Sequence, residues 1–170
     1  TLMRSSAASD VYKRQGDGME RIEKQMQFIL EIDKEKQIKR KTLQSNGKDF
    51  EDDAQHAWHM AIMTLLLSEY SNEKIDVLKT ISMLLIHDLV EIDAGDTYAY
   101  DDQGLKVQNE RENLAANRIF NLLPEDQAKK VFDLWNEFEE RKTPEAKFAR
   151  VMDNFQPVML NACLLYTSDA

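Results

Sequence analysis

Ile81-Ser82-Met83-Leu84-Leu85-Ile86-His87-Asp88-Leu89-Val90-Glu91 is an apolar run interrupted by an imidazole and a carboxylate side by side. A run of this composition, without glycine or proline, reads as a buried helix. His87 and Asp88 would each need a partner to be buried in it, and one divalent metal satisfies both. At helical spacing His87 and Glu91 stack on one face and Asp88 lies beside them, so three polar groups can open onto one cavity.

Outward from this run the chain keeps the same character. With 5 glycines and 3 prolines in 170 residues, and apolar positions recurring mostly at helical spacing, it reads as all-α. Helices are expected near 20–38, 53–70, 74–92, 105–122, 125–141 and 144–161. Punctuation agrees with these spans. Ser71-Asn72 separates the second from the third, Gly95 follows the third, and Pro124 and Pro144 fall in first turns, where a missing N–H costs nothing. The polar connection from Asp93 to Gly104, with Asp96, Asp101 and Asp102, is a natural place for function. There is no internal repeat and no low-complexity stretch.

The two ends read differently from the middle. Ser5–Gln15 corresponds, codon for codon, to a translated transposase adapter of the kind used to build sequencing libraries, and Cys163–Ala170 fits its reverse complement. Residues 1–15 and 163–170 are therefore expected to be artefact, Met19 the native start, and 19–162 one C-terminally truncated domain whose natural chain continues. The single cysteine, Cys163, falls in the terminal segment, so the remainder can form no disulfide. A net charge of −9 argues against nucleic acid or an anionic membrane as partner, while leaving room for a small phosphorylated ligand in a local pocket. No apolar run is long enough for a membrane span, and Met19-Glu20-Arg21-Ile22-Glu23-Lys24 is unlike a signal peptide, so a cytoplasmic protein is the expectation.

Two further residues could join His87 and Asp88. His56 enters the helix that continues into Leu65-Leu66-Leu67, a segment expected to be largely buried, and Asp153 sits among apolar neighbours in the last native helix. Each has a plain structural reading: a histidine on an apolar face is commonly a hydrogen-bonded core residue, and a helical aspartate commonly a solvated one. His59, one turn from His56, reads as a bystander or a supporting group.

Taken together, His56, His87-Asp88 and Asp153 resemble the H…HD…D signature of the HD-domain metal-dependent phosphohydrolases. The string from His87 to Thr97 is similar to the branch containing 5′-deoxynucleotidases, as are Asp53–His59, Leu134–Glu139 and Thr143–Lys147. The resemblance implies a helical bundle of about six helices around one divalent metal (Mn, Co, Fe or Zn) held by His56, His87, Asp88 and Asp153. Two-metal relatives use additional histidines, whereas this chain has three in all and none after His87. The implied activity is hydrolysis of nucleoside, and particularly deoxynucleoside, 5′-monophosphates, a hydrolase function in nucleotide metabolism. Glu91 and Asp96 would be the catalytic acid and base in either order, and Arg40, Lys41 or Lys48 would hold the phosphate. Dimerisation is common among such relatives. The alternative is a non-catalytic HD module that binds metal and nucleotide as a sensor or scaffold. Two departures stand out: Gln55 occupies the place where the family usually has glutamate, and Arg40-Lys41-Thr42 stands where deoxynucleotidases carry an Arg-Trp pair.

Overall fold

The ends of the helices in this chain are fixed by side chains that satisfy otherwise unpaired backbone groups. The computed structural model describes residues 20–95 and 102–168. It begins with α1 over residues 20–32, which tightens into a 3-10 turn at Asp33–Gln37. A hairpin of β1 (Lys39–Leu43) and β2 (Phe50–Asp52) leads into α2 (Asp53–Leu67). Then come α3 (Val77–Ile86), a 3-10 turn (His87–Val90), α4 (Glu91–Ala94), α5 (Asp102–Phe120), α6 (Glu125–Glu140) and α7 (Pro144–Ser168). The Asp52 carboxylate caps α2 by accepting from the Gln55 amide, while the Gln55 side chain accepts from the Asp52 N–H, a reciprocal capping box. Asp76 caps α3 through the Lys79 N–H, and Thr143 Oγ1 accepts from Ala146 N at the start of α7.

The all-α reading holds, with differences in detail. The first expected helix ends at Ile32 rather than 38, and residues 39–52 form an antiparallel pair pairing Lys39 with Asp52 and Leu43 with Phe50. Its turn is set by Asn46, whose Oδ1 accepts from the Lys48 and Asp49 amides, and by Gly47 at φ 66°. The third helix tightens at His87, so the strongest motif in the chain sits on a 3-10 turn, a change of pitch that often marks function. Gly95, at φ 76°, then ends α4 by donating to Glu91 O. Leu65 and Leu66 are exposed, contrary to expectation, because α2 buries instead the face carrying His56, Met60, Met63 and Thr64. Among the described residues, no helix is long and apolar enough to cross a membrane.

Two apolar clusters flank the turn that carries His87. One joins α2, α3, α6 and α7 through Met60, Met83, Leu84, Phe138 and Met152; the other joins the turn, α5 and α6 through Leu89, Val90, Ile119, Phe120 and Trp135. His87 lies at their junction, its ring 4.8 Å from that of Phe138 in an edge-on contact. Burial of side chains as large as Phe120 and Phe138, each worth about 3–5 kcal/mol on truncation to Ala, makes this a stiff frame for the polar residues between the clusters.

Candidate metal centre

Helices α2, α3 and α7 pack against one another, and this brings His56, His87, Asp88 and Asp153 together from three turns of chain. The two imidazoles are held in the same way. His87 Nδ1 lies 2.9 Å from the Leu84 carbonyl, which can only accept, so the proton sits on Nδ1 and Nε2 carries a lone pair. His56 Nδ1 lies 3.0 Å from Gln156 Oε1. The Gln156 amide is oriented by its Nε2, which donates to Glu51 Oε1 at 2.7 Å, so its oxygen must be the atom facing His56. Both Nε2 atoms therefore point into the same space.

The carboxylates divide their oxygens in a matching way. Asp153 Oδ1 lies 3.2 Å from His56 Nε2 and 3.8 Å from His87 Nε2, while its Oδ2 accepts from Arg150 at 2.7 Å. Asp88 Oδ1 lies 3.0 Å from His87 Nε2, while its Oδ2 accepts from Arg40 at 2.9 Å. One oxygen of each carboxylate thus remains on the central space. Donors about 2.0–2.2 Å from one tetrahedral ion lie about 3.4 Å from each other. The spacings here bracket that figure, and the donor atoms of His56, His87 and Asp88 all fall within 4.8 Å of one another. His87 Nε2 is buried and makes no hydrogen bond of good geometry. A lone pair aimed at two carboxylate oxygens is repulsive unless a cation lies between them, so the donor set fits a divalent metal.

Charge within the cluster points the same way. Burial opposes ionisation of His87, yet Asp88 and Asp153 outweigh it and hold its pKa well above the ordinary value. Burial likewise opposes the charge on Asp153 and Asp88, but the two adjacent histidines hold Asp153 low, and His87 and Arg40 hold Asp88 low. Without metal, the cluster keeps its carboxylates ionised and takes up protons on its imidazoles, which a metal would displace.

Beside the cluster lies a second group of carboxyls around one guanidinium. Arg40, on β1, donates from Nη1 to both Asp88 Oδ2 and Asp53 Oδ1, each at 2.9 Å. Asp53 is fully buried, and burial followed by the Asp88 charge raises it to about 6 against the opposing pull of Arg40. Glu91 acts on the Asp53 carboxyl, lowering it, and contributes to the field on Arg40. Glu35, buried in the turn after α1, is raised to about 7 by desolvation and then by Asp88 and Asp53.

The structure thus brings together His56, His87, Asp88, Asp153, Glu91 and Arg40. Lys41 is exposed on β1 and Lys48 is exposed in the hairpin turn. Asp96 lies outside the described residues. Gln55 faces the hairpin rather than the cluster, accepting from Asp52 N and Gln44 Nε2, and glutamate or glutamine would serve a capping box equally well. The sequence reading missed Glu51, Asp53, Gln156 and Arg150. Gln156 was detectable as a polar residue one turn from Asp153 on an apolar face; Glu51 carries no local signal, because only the hairpin delivers it. An apolar groove lined by Leu67, Tyr70, Phe148, Met152 and Phe155 contains none of the four donors.

Comparison with known proteins gives a consistent picture. The family model described as HD domain matches residues 32–169. The chain is 27% identical over 155 residues to 5′-deoxynucleotidase HDDC2 of Bos taurus, covering 91% of this chain and 73% of that protein. It is 31% identical over 140 residues to 5′-deoxynucleotidase HDDC2 of Dictyostelium discoideum, covering 79% and 74% respectively. A crystal structure of a predicted metal-dependent phosphohydrolase from Magnetospirillum magnetotacticum MS-1 superposes with a TM-score of 0.79 at 46% identity, covering 85% of this chain and 72% of that one. The chain spans between half and three quarters of the length of these and other curated relatives.

Proposed function

We propose, from the premise that this chain belongs to the HD domain family, that it is a metal-dependent phosphohydrolase acting on nucleoside 5′-monophosphates, with deoxynucleotides preferred and the cytosol as its compartment. The observation that carries this reading is the convergence of two Nε2 lone pairs and two carboxylate oxygens on one space, with His87 Nε2 buried there without a hydrogen bond. His56, His87, Asp88 and Asp153 would hold one divalent ion; Mn, Co, Fe and Zn all suit this donor set. When bound, such an ion supplies Lewis acidity, neutralising phosphoryl charge and making water acidic enough to attack near neutral pH.

The rest of the chemistry falls to this chain's own side chains. Arg40 is anchored through Nη1 to Asp53 and Asp88 at the edge of the cluster, where its guanidinium would hold phosphate oxygens. Glu91 would take the proton from the attacking water, and Asp96 would return one to the departing 5′ oxygen; the two roles can be exchanged. Asp53 is suited to hold such a proton, because a buried carboxyl raised to about 6 binds and releases it near neutral pH.

The test is phosphate release from a panel of deoxy- and ribonucleoside 5′-monophosphates with Mn, Co, Mg or Zn. Metal-dependent release abolished by Asp88→Ala is the expected result. Silence toward every nucleotide, with metal still bound, would replace the enzyme by a binding module.

A further inference from the structure

We infer that Gln156, oriented by Glu51, is a positioning residue that locks His56 into the tautomer whose Nε2 faces the metal cluster. The inference rests on the reading of His56 as a metal ligand.

An imidazole that binds metal through Nε2 must keep its proton on Nδ1, and that proton needs a fixed acceptor. For His87 the acceptor is the Leu84 carbonyl, which the backbone supplies whatever the side chains nearby. For His56 no backbone carbonyl does this. Its Nδ1 faces Gln156 Oε1 at 3.0 Å, and an amide can present oxygen or nitrogen there depending on which way it is turned.

What removes that ambiguity is Glu51. This residue, buried on β2, presents an acceptor-only carboxylate 2.7 Å from Gln156 Nε2. Turning the amide would set its oxygen against that carboxylate and its NH2 against the Nδ1–H of His56, so both new contacts would be repulsive. The second N–H of the amide meets His59 Nδ1 at 3.1 Å. Gln156, with no exposed surface, is therefore satisfied on all sides in one orientation only. The second Glu51 oxygen lies 3.5 Å from His56 Nδ1 and is buried without a hydrogen bond, so the ring sits against an uncompensated negative charge that also favours the proton on Nδ1.

The hairpin and the last helix thus act on the metal cluster from behind. Gln156 lies one turn beyond Asp153 on α7. Pro157 next to it has no N–H for the Asp153 carbonyl, which interrupts the helical ladder at the turn carrying both residues.

Three variants test this: Gln156→Leu, Glu51→Gln, and the exchange Glu51→Gln with Gln156→Glu, in which the new carboxylate accepts from His56 and from the new amide. Two readouts are needed, Mn or Co affinity by equilibrium dialysis and the ¹⁵N spectrum of the imidazoles in metal-free protein at alkaline pH. Gln156→Leu is expected to weaken metal binding by about 10–100-fold and to spread the His56 proton over both nitrogens, and also to lower the metal-free melting temperature because the buried Glu51 carboxylate loses its amide partner. Glu51→Gln should weaken binding less, and the exchange should restore both affinity and tautomer, which keeps the test valid if Gln156→Leu does not fold. Unchanged affinity and tautomer in Gln156→Leu, or an exchange variant as impaired as the single ones, would overturn the inference. If the unsubstituted protein binds no metal yet its His56 tautomer still depends on Gln156, the ligand reading falls and the positioning role stands.

Discussion

Replacing Asp153 by asparagine keeps the shape of the side chain and removes one charge from the point where both imidazoles converge. Asp153 Oδ1 lies 3.2 Å and 3.8 Å from the two Nε2 atoms, so the variant loses its charge-assisted contacts to them and offers the metal a neutral oxygen. Structural divalent sites bind with about 10–16 kcal/mol, or about 3 kcal/mol for each of four donors, so affinity should fall at least ~100-fold. The metal-free protein feels the change as well. Asp153 is depressed in the fold, so its share of stability is present above a pH of about 4 and is lost as pH falls through its folded value. His56 and His87 are raised, so theirs is present below about 6.5 and is lost as pH rises through their folded values. Between roughly pH 4 and 6.5 both are in force, and there Asp153→Asn should cost about 2–3 kcal/mol, or roughly 5–10 °C in melting temperature, with the deficit narrowing in alkaline buffer. The assay is thermal denaturation across pH with and without Mn, together with metal content after dialysis. At a Mn concentration 100 times its Kd, the unsubstituted protein should gain about 2.7 kcal/mol while the variant gains almost nothing. An asparagine variant that binds Mn within about tenfold of the original would refute the assignment of Asp153 as a ligand.

Arg40→Lys keeps the charge but not the planar guanidinium whose Nη1 bridges Asp53 and Asp88, so kcat/KM for phosphate release should drop about 10–100-fold while metal content by elemental analysis stays constant. Glu35→Gln removes a carboxyl raised to about 7; because the fold resists its ionisation, the native protein loses stability as pH rises from about 4.5 to 7, and the variant should be more stable by about 1–3 kcal/mol at pH 8 with no difference at pH 4, as read from urea midpoints. Gln55→Glu should leave metal affinity unchanged, since the residue faces the hairpin, whereas Gln55→Ala should cost about 1 kcal/mol of stability through the capping box; calorimetry with and without Mn separates the two.

The sequence by itself determined the helical class and named the candidate donors. Helical periodicity is a local signal, and an imidazole–carboxylate pair inside an apolar run states a chemical need that a metal meets, so His87 and Asp88 declare themselves without any neighbour in space. His56 and Asp153 became legible only as members of a pattern, since each alone reads as an ordinary core or surface residue. The hairpin escaped notice because its strands are short, charged and stabilised by the Asn46-Gly47 turn and by their junction with α2 rather than by an alternating apolar face. Tertiary structure alone decided which atoms of the candidate donors face their shared space. Tautomers and carboxylate orientation are fixed by partners distant in sequence: Glu51 and Gln156 for His56, Arg40 for Asp88. Hydrogen bonds between such partners depend on how the helices and the hairpin pack, and residue spacing along one chain carries no record of that packing.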